Sequence, residues 1–143
     1  MSDELDRRLR ESFGDARVTR DAPLGPLTTF RVGGTADWRV DVRTEMEIRT
    51  AFEIARQWGV TVVPLGGGSN VLVADGGVRG IVLRIHGGDV VQVDDERIRA
   101  DAGVTINGLV RWTITHGVAG LEAWAGTPGT VGGAVYGNAH FQG

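Results

Sequence analysis

The sequence predicts an α+β fold, in which short strands and helices are joined by glycine-rich loops. Residues 36–42 alternate apolar and polar side chains, which is the period of a half-buried strand. Thr44 begins a capping box, and residues 45–58 then carry apolar side chains at helical spacing before Gly59. Several short apolar runs follow without regular strand–helix alternation, and this order favours α+β over a strict βαβ arrangement.

The N-terminal part is predicted to begin with a helix that Ser2 can cap and that Gly14 ends. The apolar side chains of this helix are four residues apart: Leu5, Leu9 and Phe13. Residues 23–30 contain two prolines and are predicted to be extended. Gly33-Gly34 then separates this stretch from the strand over residues 36–42.

Four further strands are predicted in the middle of the chain, over residues 60–65, 81–85, 90–93 and 98–102. His86–Asp89 contains two glycines and is predicted to be a hairpin connection between the second and third of these strands. Residues 94–96 are predicted to form the turn between the third and fourth. Residues 71–73 also have the pattern of a short strand.

The C-terminal part is predicted to contain a helix that Thr105 caps and that Gly117 ends. His116 would lie at the end of this helix, where its side chain complements the helix dipole. Residues 118–143 are rich in glycine and show no clear strand, although a short helix can begin after Pro128.

The first of two glycine-rich loops, residues 64–70, directly follows the predicted strand over residues 60–65. Glycine permits positive φ angles, and turns of this kind form nests of backbone N–H donors that hold anions. No Gly-Lys-Ser/Thr follows, and Val71 stands where a dinucleotide fingerprint needs a small residue. We therefore expect backbone N–H groups, the Ser69 hydroxyl and the Asn70 amide to hold the anion. A tight strand-to-strand turn is the alternative interpretation.

The second loop, residues 126–134, combines small residues with the hydroxyls of Thr127 and Thr130. Small residues let a flat ring lie against the backbone, and N–H groups can stabilise negative charge that develops on it. The alternative is a close-packed crossing of backbone under a neighbouring strand. Two such loops in one small domain indicate a ligand with a charged diphosphate and an extended body, such as a dinucleotide.

Composition excludes several other classes of protein. A chain of 143 residues suits one domain or two small ones, and a net charge of −3 without a basic stripe argues against a nucleic-acid partner. Cysteine is absent, so disulfides and thiolate chemistry are excluded, and the three scattered histidines do not predict a metal site. No apolar run is long enough to cross a membrane, which favours the cytoplasm. Glu122 has apolar neighbours; it is either a buried carboxylate that accepts loop N–H groups or a surface residue.

Five motifs together carry a resemblance to a known family: Thr29-Phe30-Arg31-Val32-Gly33-Gly34, Leu65–Val73, Gly120-Leu121-Glu122, Gly126–Ala134 and Asn138-Ala139. In order and spacing they resemble the N-terminal part of the UDP-N-acetylmuramate dehydrogenases, also called UDP-N-acetylenolpyruvoylglucosamine reductases. The resemblance covers about residues 23–139, which is nearly the whole chain.

The resemblance implies a FAD-binding module of the PCMH/vanillyl-alcohol-oxidase type, with the flavin between two small α+β subdomains. Residues 1–22 would be a lead-in, residues 23–65 the first subdomain and residues 66–143 the second. The first loop would hold the FAD diphosphate, and the second would lie along the ribityl chain and isoalloxazine ring. The implied cofactor-binding residues are Leu65, Gly66, Gly67, Gly68, Ser69, Asn70, Gly126, Thr127, Pro128, Gly129, Thr130, Val131, Gly132, Gly133 and Ala134.

The family's enzymes take a hydride from NADPH and reduce the enolpyruvyl group of a UDP-sugar for peptidoglycan synthesis. Their catalytic residues are expected beyond Gly143, in a C-terminal half, so we expect the present chain alone to be inactive. Residues 138–143 depart from the family's usual Asn-Ala-Gly-Ala-Tyr-Gly, and His140 is either a variant residue near the flavin or a tail residue.

Two other functions fit the same residues. One is a flavin oxidase or dehydrogenase of the same fold. Many such enzymes attach the flavin covalently to a His near the first loop, where this chain has Ser69 and Asn70. The other is a module that has kept the fold but lost the cofactor.

Overall fold

The computed structural model describes residues 1–140, and within them the predicted α+β fold is confirmed. The helices and strands, in chain order, are α1 (Ser2–Phe13), β1 (Val18–Pro23), β2 (Thr35–Val42), α2 (Glu45–Trp58), β3 (Val62–Leu65), β4 (Val78–Ile85), β5 (Val90–Gln92), β6 (Ile98–Ala100), α3 (Ile106–Thr115) and α4 (Val131–Tyr136). Single 3₁₀ turns occur at Asp15–Arg17, Gly25–Leu27 and Glu122–Trp124.

The main sheet has the strand order β1-β2-β4-β3. β1 is antiparallel to β2, whereas β2, β4 and β3 are parallel, with Val40 and Pro64 on either side of Leu83. The carboxyl ends of the parallel strands therefore lie at one edge of the sheet, and the first glycine loop leaves β3 from that edge. β4 joins this sheet although it follows residue 65, and the division into subdomains at that residue stays a prediction.

The predicted hairpin between residues 81–85 and 90–93 is wrong. β4 already pairs with β2 on one side and β3 on the other, and β5 pairs with β6 in a separate two-stranded antiparallel sheet. The Gly87 N–H donates to the carbonyl oxygen of Gly103, so residues 86–88 leave the main sheet instead of turning back along it. The predicted turn between β5 and β6 is confirmed.

The main core lies between one face of this sheet and the helices α1 and α2. The spacing of the α1 side chains is confirmed, because all three predicted residues are buried there. The buried members of this core are Leu5, Leu9, Phe13, Val18, Trp38, Val40, Val42, Ala51, Ile54, Ala55, Ile81 and Leu83. A smaller cluster packs elsewhere on the sheet and contains Leu24, Ala36, Leu65 and Val82.

The helix termini follow the sequence signals closely. Thr44 and Glu47 form the reciprocal capping box, and Gly59 ends α2 with a left-handed φ of 63°. The Thr105 hydroxyl accepts the Gly108 N–H at 2.9 Å, as predicted. Ser2 is an exception: it lies inside α1, whose N-cap is Met1, so the predicted cap is wrong. The Met1 carbonyl oxygen accepts the Leu5 N–H at 3.1 Å, so Met1 takes the N-cap position.

Asp6 links α1 to the sheet and should make stability depend on pH. The Arg10 guanidinium donates to its carboxylate at 2.7 Å and the Trp38 indole N–H at 3.2 Å, and these bonds lower the pKa of Asp6. A lowered folded pKa stabilises the fold above the unfolded value, near pH 4, and that stabilisation is lost as pH falls through the folded pKa. We expect Asp6→Asn to be less stable than wild type at pH 7, with the gap closing at low pH in urea titrations. An equal gap at both pH values would contradict this.

Candidate functional site

The two glycine-rich loops, which are about sixty residues apart in sequence, meet in the structure. A Cβ at Gly66 would lie 2.7 Å from the Thr130 hydroxyl oxygen, and a Cβ at Gly67 would lie 3.1 Å from the Cα of Gly129. A Cβ at Gly129 would in turn lie 3.0 Å from the Ser69 hydroxyl oxygen. Glycine at these positions therefore allows two backbone segments to approach directly, and the two predicted loops lie against each other.

Residues 66–70 of the first loop present a row of free backbone donors. None of their five N–H groups donates to an acceptor within residues 1–140. The Ser69 hydroxyl and the Asn70 amide also have no hydrogen-bond partner in the part of the chain that is described. Gly68 has a left-handed φ of 67°, which is the geometry in which successive amides turn toward one concave face. The loop thus has the donors that an anion requires.

The connection after this loop rules out one alternative and supports one expectation. Residues 66–77 join the parallel strands β3 and β4, so the loop is not a tight strand-to-strand turn. No helix follows the loop within residues 71–77, and backbone N–H groups, rather than a helix dipole, are left to face an anion, as expected. The short strand predicted over residues 71–73 is wrong, because this segment pairs with no strand in the described structure.

A segment before β2 holds the first loop in place. The Thr29 N–H donates to the Gly68 carbonyl oxygen at 3.0 Å, and a Cβ at Gly68 would overlap the Leu27 carbonyl oxygen. Thr28, which is 5% exposed, stabilises the segment, because its hydroxyl donates to the Gly25 carbonyl oxygen at 3.1 Å. We call residues 24–34 the bracket. Sequence patterning did not assign it a role, since its contacts are made by the backbone.

The second loop has few free donors. The N–H groups of Gly126, Thr127, Val131, Gly132, Gly133 and Ala134 all donate within the protein. Pro128 has no N–H group, so Gly129 and Thr130 supply the only loop N–H groups without an acceptor among residues 1–140. These two residues are also the ones that contact the first loop. The free donors of both loops therefore lie close together, where the two loops contact each other.

The start of α3 holds the second loop from the other side. The Ile106 N–H donates to the Gly129 carbonyl oxygen at 3.0 Å, and the Val131 N–H donates to the Val104 carbonyl oxygen at 2.8 Å. The Asn107 side-chain oxygen accepts the Gly126 N–H at 2.7 Å. The close backbone crossing considered as an alternative is thus present, and it coexists with the free donors at residues 129–130. Asn107 was missed because no local pattern marks a contact across nineteen residues.

The remaining candidate residues lie outside this cluster of donors. The Leu65 side chain is 5% exposed and packs in the smaller core cluster, which leaves only its backbone near the loop. Glu122 is exposed and not buried, but it does accept the Gly120 N–H at 2.9 Å. Its pKa is lowered by hydrogen bonds from its own N–H and that of Gly120. His140 is exposed, and Phe141, Gln142 and Gly143 lie outside the described residues.

No cluster of His, Asp or Glu within residues 1–140 is arranged to hold a metal ion. None of the described helices is both long and apolar enough to cross a lipid bilayer.

Curated relatives match almost the full length of the chain. It is 43% identical to the UDP-N-acetylenolpyruvoylglucosamine reductase of Rubrobacter xylanophilus over 96% of this chain and 46% of the relative. It is 38% identical to the enzyme of that name from Geobacter metallireducens over 100% of this chain and 48% of the relative. The chain therefore spans about half the length of these relatives.

Solved structures agree with the fold. The crystal structure of UDP-N-acetylenolpyruvylglucosamine reductase from Thermus caldophilus aligns with a TM-score of 0.63 at 34% identity, over 88% of this chain and 44% of that one. An alkyldihydroxyacetonephosphate synthase aligns with a TM-score of 0.65 at 19% identity, over 80% of this chain and 25% of that one, and shows the fold alone.

The family model described as FAD binding domain matches residues 36–143, about three quarters of the chain. The expected fold and cofactor class are thereby confirmed. The matched segment includes both glycine loops, whose free N–H groups suit a diphosphate. This chain belongs to the FAD binding domain family.

Proposed function

We propose that this chain is the FAD-binding portion of a UDP-N-acetylenolpyruvoylglucosamine reductase. Such an enzyme takes a hydride from NADPH and reduces the enolpyruvyl group of its UDP-sugar, which gives UDP-N-acetylmuramate for peptidoglycan in the cytoplasm. The observation that carries the proposal is the row of five unbonded N–H groups at residues 66–70, beside the unbonded pair at residues 129–130. The names of the relatives supply the UDP-sugar substrate and its reduction, and the family resemblance supplies NADPH and peptidoglycan synthesis.

When FAD is bound, its isoalloxazine ring supplies the hydride chemistry. The role of this chain is to hold and orient the cofactor. The N–H groups of residues 66–70 bind the diphosphate, with the Ser69 hydroxyl and the Asn70 amide as further donors. Charge-assisted hydrogen bonds of this kind are roughly twice as strong as neutral ones.

The second loop lies along the ribityl chain and ring in this proposal. Its small residues leave room for a flat ring, and the N–H groups of Gly129 and Thr130 are free to donate to it. The other N–H groups of the loop hold the loop itself in shape. The division into a lead-in (residues 1–22) and two subdomains (residues 23–65 and 66–143) is part of the same proposal.

Flavin titrations test this proposal directly. We expect the purified chain to bind about one equivalent of FAD and to release it on acid treatment, since Ser69 and Asn70 offer no covalent link. Riboflavin lacks the diphosphate, and the loss of two charge-assisted hydrogen bonds should weaken its binding by at least about a hundredfold. Fluorescence titration of both ligands measures this ratio.

Each competing function predicts a different result. Flavin that stays attached after acid would point to an oxidase with a covalent link. Equal affinity for FAD and riboflavin would show that the diphosphate contributes nothing to binding. Protein that ignores both ligands would be a cofactor-free module.

A further inference from the structure

One residue of the bracket has a backbone conformation that its side chain disfavours. Arg31 has a φ of 53°, and within residues 1–140 only Asp21 and Asn138 share a positive φ among residues other than glycine. Asp and Asn tolerate this region because their short polar side chains bond locally, but arginine has no such advantage. Strain of this kind persists where the surrounding structure enforces it, often beside a ligand.

The surrounding structure does fix Arg31, and it does so next to the first glycine loop. The Arg31 N–H lies 3.3 Å from the Thr28 carbonyl oxygen and 3.2 Å from the Thr28 hydroxyl oxygen. Thr29, which follows Thr28, donates its N–H to the Gly68 carbonyl oxygen at 3.0 Å. Arg31 therefore lies two residues after Thr29, which bonds directly to the loop. Its own backbone N–H is bonded to Thr28.

The guanidinium of Arg31 is exposed and has no partner among residues 1–140. Arg31 is one of seven arginines without an ion pair among residues 1–140, whereas eight form ion pairs: Arg7, Arg10, Arg17, Arg20, Arg39, Arg49, Arg79 and Arg97. The loop itself, residues 64–70, contains no charged side chain. The row of free N–H groups thus has no cation within its own loop, while Arg31 lies two residues after Thr29, which bonds to that loop.

We propose that Arg31 is the cationic residue of this anion site and contacts the diphosphate of the bound dinucleotide. The inference rests on the proposed function and extends the site to a residue outside the segment, residues 36–143, that matches the family. The left-handed backbone at Arg31 is then the conformation that presents its guanidinium beside the loop. Arginine suits this task because its planar fork donates two hydrogen bonds to a phosphate.

Arg31→Gly separates charge from strain in a single variant. Glycine adopts a φ of 53° without a steric penalty, so the melting temperature of the ligand-free protein should not fall. The Kd for FAD should nevertheless rise roughly tenfold to a hundredfold, because a charge-assisted bond is lost. The Kd for riboflavin, which has no phosphate, should stay unchanged. Unchanged FAD affinity, or an equal loss for both flavins, would overturn the proposal.

Two other variants serve as controls in the same fluorescence titrations. Arg31→Lys keeps the charge and should retain a large part of the FAD affinity, and a loss as large as that of Arg31→Gly would count against a charge contact. Arg8 is another exposed arginine without a partner among residues 1–140, and it lies on α1. Arg8→Ala should leave the FAD affinity unchanged. A loss of affinity equal to that of Arg31→Gly would show that the Arg31 effect comes from the net charge of the protein.

ADP as a third probe distinguishes this inference from the proposed function. It carries the same diphosphate without a flavin. Arg31-dependent binding of ADP in a protein that ignores riboflavin and FAD would sustain the Arg31 contact and refute the FAD function. If Arg31→Gly lost the binding of UDP and kept that of ADP, Arg31 would be assigned to the substrate. This result would overturn the inference. A wild-type chain that binds none of these ligands would refute both.

Discussion

Gly68→Ala is expected to abolish FAD binding while the rest of the fold survives. Gly68 has a φ of 67°, and a Cβ there would overlap the Leu27 carbonyl oxygen, which belongs to backbone that cannot move aside alone. The left-handed conformation costs alanine about 1–2 kcal/mol, and the overlap adds about 1–3 kcal/mol. The loop should relieve this by turning its N–H groups away from their common face. We expect the Kd for FAD to rise at least about a hundredfold.

Gly76→Ala is the matched control for this prediction. Gly76 lies in the same connection between β3 and β4, its φ is not left-handed, and a Cβ there would contact nothing within 4 Å. It should bind FAD as wild type does. Far-ultraviolet circular dichroism should be similar for both variants, since neither glycine lies in a helix or strand. Tight FAD binding by Gly68→Ala would show that the loop geometry does not carry the site.

Leu9→Ala should cause the largest loss of stability, although Leu9 lies outside the segment that matches the family. Its side chain is 0% exposed and packs in the main core against the sheet. Truncation of a fully buried leucine typically costs about 2–5 kcal/mol, because apolar contacts are lost and a cavity remains. Urea unfolding should show this as a lower midpoint with an unchanged slope.

Arg8→Ala, one residue away on the exposed face of α1, is the control for Leu9→Ala. A surface substitution of this kind usually changes stability by no more than about 0.5 kcal/mol. If Leu9→Ala were equally mild, α1 would be an accessory helix and residues 36–143 would form the domain without it. A large loss would show that α1 completes the core of the FAD binding domain.

Local signals in the sequence predicted the secondary structure well where the physics is local. The capping box at Thr44, the left-handed Gly59 and the four-residue spacing in α1 depend only on residues within one or two helical turns. The strand β2 was predicted from its alternating apolar and polar side chains, and their alternating burial confirms it. The hairpin after β4 was predicted wrongly because its glycines favour a turn, whereas the neighbours of β4 in the sheet decide its pairing.

The candidate site shows the same division. Glycine content located both loops, because unusual backbone conformations require a residue without a Cβ. It could not tell which N–H groups remain free, since those of residues 131 and 132 are taken by residues 104 and 102. Nor could it reveal that Thr29 bonds to the Gly68 carbonyl oxygen, because that bond is made by backbone atoms that other residue types also carry.

The amino-acid sequence by itself determined the class of fold, the helix ends other than the start of α1, both glycine loops and the family resemblance. These depend on neighbouring residues or on residue types that only one role requires. Only the tertiary structure decided that the loops meet, that donors stay free at residues 66–70 and 129–130, and that the bracket fixes Gly68. Glycine marks where backbone segments come close but not which distant segment they meet, because every residue carries the same carbonyl and all but proline the same amide.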